Sequence, residues 1–377
     1  MYLEEFQSGK YVSQYKHKSF IPEKINHSWN WENQEINVLF EEASRGLGGL
    51  NSYTKIVPNI DLFIQMHIVK EANISSKIEG TRTNLDEVLL SKENIKPQKR
   101  DDWQEVNNYI RALKYAINEL GKLPVSNRLI KKTHKILLTN VRGKHKSPGK
   151  FRKSQNWIGG SSLKDAVYIP PPDDYIGEYM SDLEKFIHND SIKVPHLIKI
   201  AIIHYQFETI HPFLDGNGRI GRLLIILYLI SNNLLDKPSL YLSDFFEKNR
   251  ASYYDALSRV RESNDLIHWI KFFLNGVIET TSKGRDTFEG ILKLQDEVSN
   301  KINSLGRRAG NAKKIIDLFY MNPLMTINDL AKKDLNIHKR TIRNIVKELI
   351  KLDLIKEHGN RRKNKLYFFK KYFKLFL

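Results

Sequence analysis

The chain has 377 residues, enough for two or three domains, and its 41% hydrophobic and 28% charged content excludes a disordered polypeptide. It contains no cysteine, so disulfides and thiolate chemistry are excluded, and no apolar run approaches the ~18 residues of a membrane helix. The formal net charge is +18, of which residues 307–377, with 19 Lys/Arg and 6 Asp/Glu, hold +13. This asymmetry predicts a distinct basic C-terminal module with a polyanionic partner. The opening MYLEEFQSGK has neither the basic nor the apolar region of a signal peptide, so a cytoplasmic protein without membrane contact is expected.

The first 60 residues mix short helical patterns with breakers at Ile21-Pro22 and Val57-Pro58. From Asp61 to Ile78 the apolar residues Leu62, Ile64, Met66, Ile68, Val69, Ala72 and Ile74 form a broad helical stripe, and Gly80 stands where a helix C′ residue would. Asn84 reads as the N-cap of another helix, and further helices fit Trp103–Leu120, Ser126–Leu138 and Asp174–Asn189. Between them, Phe151–Pro172 reads as a β-hairpin: two β-rich pieces, Asn156–Ile158 and Ala166–Ile169, flank Gly-Gly and Ser-Ser turn signals. Pro195–Ile210 and Arg219–Ser231 are helices, the second so apolar around its circumference that it belongs at a domain centre. Helices follow at Arg250–Ser263, Leu266–Leu274 and Asp286–Ser304, and Gly306–Gly310 is the best linker candidate. Beyond it, three helices (Ala312–Tyr320, one opened by Thr326, and Lys339–Leu352) precede two short strands, Leu354–Glu357 and Lys365–Phe369. That order is a winged helix-turn-helix.

The chemistry concentrates in residues 211–222, HPFLDGNGRIGR. Gly216, Asn217 and Gly218 lie at a loop–helix junction, where unpaired first-turn amides and the helix dipole make an anion site suited to phosphates. Arg219 and Arg222 share a helical face and add two fork-shaped donors. A carboxylate beside a phosphate site, Asp215, makes sense as a ligand for Mg²⁺. His211, with its near-neutral pKa, is a candidate to take a proton from an incoming hydroxyl. These groups in register point to nucleotide-dependent group transfer onto a hydroxyl.

The same residues match H-P-F-x-[DE]-G-N-G-R-x-x-R, and the chain thereby resembles the Fic (filamentation induced by cAMP) proteins. The resemblance implies a mainly α Fic-fold helical bundle with a small β-hairpin flap, and an enzyme moving AMP from ATP to a Tyr, Ser or Thr hydroxyl of a target protein or of itself. His211 would be the general base and Asp215 the Mg²⁺ ligand. Gly216, Asn217, Gly218 and Arg219 would hold the α- and β-phosphates, Ile220 and Gly221 would complete the nucleotide site, and Arg222 would reach the γ-phosphate. The hairpin resembles the target-docking flap, with Ile158 and Gly159 near the target. The stretch YLSDFFEKNRASYYDAL resembles the segment closing over adenine, with Asn249 as a base contact and Tyr253 as a weaker one. Phosphoryl or phosphocholine transfer is the alternative within enzymes.

SSKIEGTRTN holds a second match, to the inhibitory pattern [ST]-x-x-x-E-[GN], at Ser75, Glu79 and Gly80. By resemblance, Glu79 pairs with Arg222, occupies the γ-phosphate's place and so belongs to the nucleotide site as a brake within the chain. In some relatives of this kind the glutamate instead orients water to remove AMP. The implied division is an N-terminal helical domain over 1–120, a catalytic core over 121–285, a connecting helix and linker over 286–310, and the winged module over 311–377. A homodimer is implied by resemblance alone. In the terminal module, Lys339, Arg340, Arg343 and Lys347 lie opposite Ile342, Ile345, Val346 and Leu349, while Arg361, Arg362 and Lys363 tip the wing. DNA is the expected partner of both surfaces, which leaves a DNA-binding regulator with a nucleotide-sensing loop as the competing reading.

Overall fold

Two helices that are apolar nearly all round occupy the centre of the protein, as their composition requires. The computed structural model describes residues 1–15, 17–359 and 363–377. An N-terminal hairpin, β1 (Gly9–Ser13) and β2 (Lys18–Pro22), pairs Tyr11 with Phe20. Helix α1 (Gln34–Ile56) follows, started by the Asn33 side chain, which accepts from the amides of Glu35 and Ile36. Then come α2 (Ile60–Ile78), α3 (Leu85–Val88), α4 (Arg100–Glu119), α5 (Asn127–Leu137) and α6 (Ile176–His188). The central pair is α7 (His196–Ile210) and α8 (Asn217–Ser231), buried from Leu197 to Ile210 and from Ile220 to Leu229. Helices α9 (Ser243–Lys248), α10 (Arg250–Ser263) and α11 (Leu266–Asn303) bring Phe246, Tyr253 and Trp269 around His204 of α7. The Trp269 indole N–H of α11 donates to the Ala201 carbonyl of α7 at 2.8 Å.

Two readings of the sequence are corrected. The segments read as separate helices at Leu266–Leu274 and Asp286–Ser304 are one helix, α11. Its glycines do not interrupt it, because they are close-packing positions. A Cβ on Gly276 would stand 2.7 Å from the Phe245 ring, and one on Gly284 2.7 Å from Leu50 of α1. The same logic hid α1, whose Gly46 lies against Thr281. The flap is also slighter than a two-stranded hairpin. Only Ile158 and Tyr168 form a bridge, because Gly159 and Gly160 (φ 70° and 69°) turn the chain at once and Pro170 has no N–H to extend the ladder.

The terminal module contains α12 (Ala309–Met321), β3 (Leu324–Thr326), α13 (Ile327–Ala331), α14 (Lys339–Lys351), β4 (Lys356–His358), β5 (Leu366–Phe368) and α15 (Lys370–Lys374). Its sheet has the order β3-β5-β4, and both β3 and α15 went unread in the sequence. The proposed linker is a tight turn, Gly306–Arg308, leading directly into α12. The module packs on α2: Tyr320 and Tyr372 meet Phe63 edge-on at 4.9 and 5.9 Å, and Phe376 meets His67 at 5.0 Å. Among the described residues, no helix is long and apolar enough to cross a membrane.

Candidate active site

The loop between α7 and α8 is built by its own polar groups and by three distant side chains. His211 ends α7 in the left-handed region (φ 49°), and Gly216 enters α8 at φ 79°. The Asn217 carboxamide closes the loop on itself: its Oδ1 accepts from the Phe213 amide and its Nδ2 donates to the Phe213 carbonyl, both at 2.8 Å. That side chain is committed to the turn, which leaves the backbone amide as its contribution to an anion site. Buried Arg152 donates to the carbonyls of His211 (3.0 Å), Ser154 (3.2 Å) and Pro171 (2.5 Å). Asn156 donates to Phe213 O at 2.8 Å. His134 stacks on Phe213 at 3.7 Å. Its Nδ1 accepts from the Gly149 amide, so its Nε2 carries the proton and donates to Asp215 O at 2.9 Å. None of these three was legible as functional, because their partners in the loop are backbone atoms 57 to 81 residues away.

The two loop arginines, expected to converge on one anion, are each held by a carboxylate of an N-terminal helix. Arg222 donates from Nε to Ser75 Oγ (2.8 Å), and from Nη2 to Ser75 O (2.8 Å) and to Glu79 Oε1 (2.7 Å). Arg219 donates from Nη1 to Glu105 Oε2 of α4 and from Nη2 to Asp215 Oδ1, both at 3.2 Å. Glu79 keeps 30% of its side-chain surface, whereas Arg222 keeps 2%. Burial alone would raise the Glu79 pKa, but the Arg222 and Arg219 guanidiniums outweigh it and hold the carboxyl below its usual range.

Glu79 is placed by the end of α2. Gly80 (φ 99°) takes the C′ position, its amide donates to Lys77 O, and the Thr81 amide reaches back to Ser76 O. This is a Schellman closure, and it turns the chain so that Glu79 points at α8. A Cβ on Gly218 would lie 2.4 Å from Glu79 Oε1, so only glycine there admits the carboxylate to the first turn of α8. The Glu79 carboxylate thus sits over the first turn of α8, between Gly218 and Arg222.

Asp215 keeps 33% of its surface. A Cβ on Gly143 (φ 88°) would fall 2.6 Å from Asp215 Oδ2, so this glycine keeps the second carboxylate oxygen clear. No cluster of three or more His, Cys, Asp or Glu that could bind a metal occurs among the described residues. The donor set fits a Mg²⁺ held by one carboxylate together with nucleotide phosphates, not an all-protein cage.

His211 is half-buried at the start of this loop, and its buried Nδ1 has no hydrogen-bond partner among the described residues. Burial first, and Arg152 second, lower its pKa to about 4, so the imidazole is neutral at physiological pH. Tyr253 is buried with its hydroxyl on His204 at 2.9 Å, which removes it as a base contact. The exposed ring of this segment is Tyr254, whose pKa is raised by burial and by nearby Glu79. Asn249 caps α9 by donating to Phe245 O at 3.0 Å. At the flap, Ile158 and Gly159 stand at the bridge and the turn, with the edge of Ile158 held by Tyr168. Lys339, Arg340, Arg343 and Lys347 are exposed along α14, opposite buried Ile342, Ile345, Val346 and Leu349. Arg361 and Arg362 lie outside the described residues.

The buried histidines set a pH dependence. Burial lowers His67 and His204 to about 3, and His134 and His211 to about 4. A depressed folded-state pKa contributes stability that is complete above the unfolded value of ~6.5 and is lost as pH falls toward the folded value. Glu208, raised by burial to about 7, acts oppositely, losing its contribution as pH rises through that value. Glu71, Glu105 and Asp317, also raised by burial, act as Glu208 does, but all four histidines gain their unfolded-state proton within this range, so the melting temperature is expected to fall from pH 7 to pH 5. A flat profile by scanning fluorimetry over that range would contradict the buried assignments.

A helical bundle with an H-P-F-x-D-G-N-G-R loop opening a buried central helix defines the class. The Fic/DOC family N-terminal pattern matches residues 38–118 and the Fic/DOC family pattern matches residues 124–229. The chain belongs to the Fic/DOC family. It is 26% identical over 219 residues to the protein adenylyltransferase Fic of Drosophila erecta, covering 56% of this chain and 40% of that protein. It is 29% identical over 224 residues to a probable protein adenylyltransferase of Aquifex aeolicus, covering 58% of this chain and 60% of the relative. The chain therefore spans about half the length of the curated relatives it matches. Among solved structures, a Fic family protein from Desulfovibrio desulfuricans G20 superposes with a TM-score of 0.57 at 20% identity, covering 91% of this chain and 98% of that one. A Fic domain containing signaling protein from Bacteroides thetaiotaomicron gives 0.53 at 17% identity, covering 68% of this chain and 97% of that one.

Proposed function

We propose that this chain is an auto-inhibited protein adenylyltransferase that moves AMP from ATP to a Tyr, Ser or Thr hydroxyl of a target protein or of itself. The observation that carries the reading is Glu79 Oε1 at 2.7 Å from Arg222 Nη2, seated on Gly218 at the start of α8. A carboxylate drawn to that spot marks where a phosphate's charge would be favoured.

With ATP in place of Glu79, the amides opening α8 and the Arg219 and Arg222 guanidiniums would hold the triphosphate. Asp215 would hold a Mg²⁺, which supplies positive charge to offset that of the phosphates. The target hydroxyl oxygen attacks the α-phosphorus as its proton passes to His211. The bond from that phosphorus to the β-phosphate bridging oxygen breaks, and pyrophosphate leaves. A neutral His211 can accept that proton, and the negative charge of the nucleotide would raise its basicity. Tyr168 takes both backbone groups of Ile158, so strand pairing to an extended target segment would fall to the outward-facing backbone beside it, at Gly159, while Asn249 and exposed Tyr254 are the base-side candidates. Mass spectrometry of lysate incubated with Glu79→Gly protein and ATP tests the reading. An added AMP mass on target peptides supports it, whereas a phosphate-only mass would replace it with phosphoryl transfer.

DNA binding by the terminal module is a second reading, favoured by the exposed cationic face of α14 opposite its buried apolar face. A gel shift that weakens steeply with salt is expected. No shift even at low salt would assign the face to a protein partner.

A further inference from the structure

Arg219 is not placed by its own helix. Its terminal nitrogens go to two carboxylates, and the one from outside the loop, Glu105, reaches in from α4. Arg219 and Glu105 keep 4% and 2% of their side-chain surfaces, so neither has water as a substitute partner. Glu105 is itself steadied by Arg142, whose Nε stands 3.3 Å from Oε1 and which is 62% exposed. The Arg219 Nε is buried with no hydrogen-bond partner among the described residues, and Nη2 is shared with Asp215 at 3.2 Å. A guanidinium is a rigid planar fork, so fixing one terminal nitrogen fixes the direction of the others. If a cation draws on the Asp215 carboxylate, Nη2 is released, and only the bond to Glu105 still sets where the fork points.

We propose that Glu105 is the positioning residue for Arg219, anchoring Nη1 so that the rest of the guanidinium is presented to the nucleotide phosphates. The inference rests on the adenylyltransferase reading for its substrate. It adds that the N-terminal domain does more than inhibit: α2 supplies the residue that blocks the phosphate site, and α4 supplies one that shapes it. The anchor works through reach and direction, since a carboxylate this close also offsets part of the arginine's charge.

Two variants separate reach from charge. Glu105→Gln keeps an acceptor at the same distance without the charge, and Glu105→Asp keeps the charge but draws the carboxyl back by one methylene. Both are made in the 377-residue Glu79→Gly chain, with Arg142→Ala as a control that removes only the exposed partner. Expected for Glu105→Asp is a rise in KM for Mg-ATP of roughly tenfold or more, the scale of a lost hydrogen bond to a charged group, with kcat changed far less. Glu105→Gln and Arg142→Ala should stay within about threefold of the parent in KM. Isothermal calorimetry with Mg-ATP should show the same order of affinities. The inference is overturned if Glu105→Asp leaves KM and affinity unchanged, if Glu105→Gln is as impaired as Glu105→Asp, or if the losses appear in melting temperature and kcat without a KM component. Should the Glu79→Gly parent transfer no AMP at all, the functional reading fails, and the calorimetric order of the variants still decides the role of Glu105.

Discussion

Glu79→Gly protein is expected to label itself with α-³²P-ATP on the order of 5- to 150-fold faster than the unaltered chain, the usual range for a coupling between two sites. The glutamate is the C-cap residue of α2, outside the helical hydrogen-bond ladder, and glycine is tolerated there. The change therefore removes the carboxylate without unwinding the helix, and Ser75 continues to hold Arg222. The cost falls on the nucleotide-free state, in which Arg222 loses its counter-charge in a buried site. Because Glu79 is partly exposed, the loss should stay below the ~3–5 kcal/mol of a fully buried pair. Mg-ATP brings the missing negative charge, so the variant should gain more thermal stability from nucleotide than the parent does. Equal labelling by the two proteins would remove the brake. If labelling instead falls in Glu79→Gly while a modified target loses AMP only in the parent chain, the glutamate serves hydrolysis.

The second large effect is at His211. In the Glu79→Gly background, replacing this histidine should lower transfer by roughly 10²- to 10⁴-fold, the contribution of a positioned general base. Nucleotide affinity should remain within a few-fold. The backbone restricts the choice of variant, because residue 211 has φ 49°. Alanine in the left-handed region is strained by roughly 1–2 kcal/mol, whereas asparagine adopts it readily. His211→Asn is therefore the cleaner test, and His211→Ala should show the same catalytic loss with an added fall in melting temperature. Retained transfer in His211→Asn would mean that the proton goes elsewhere. Lost nucleotide binding would mean that His211 holds the loop, a task the structure gives to Asn217, Arg152 and Asn156.

What could be read from the sequence was whatever is local in the chain. The stretch from His211 to Arg222 places a histidine, a carboxylate, a glycine turn at a helix start and two arginines by spacing alone, since one loop and the first turns of one helix fix their relative positions. Helix ends at Gly80, Ser126 and Thr326 were legible for the same reason: capping involves residues within four positions of each other. The Glu79–Arg222 pair, 143 positions apart, was reached by resemblance to a family, and spacing could not have supplied it.

Tertiary structure decided the rest. A glycine reads as a helix breaker until Phe245 and Leu50 are seen packed against Gly276 and Gly284, and so α11 was divided in two. Glu105 looks like any first-turn helix carboxylate until Arg219 is found beside it. Arg152 and His134 have backbone partners, which leave no residue-type signature. The basic terminal module reads as a separate unit by charge, yet Tyr320, Tyr372 and Phe376 fasten it to Phe63 and His67 of α2, the helix that ends at Glu79. Spacing along the chain thus determined which groups could do the chemistry. Packing between helices far apart in sequence decided which of them are aimed, which are held off, and which only support the others, because those contacts depend on burial and direction that residue types do not encode.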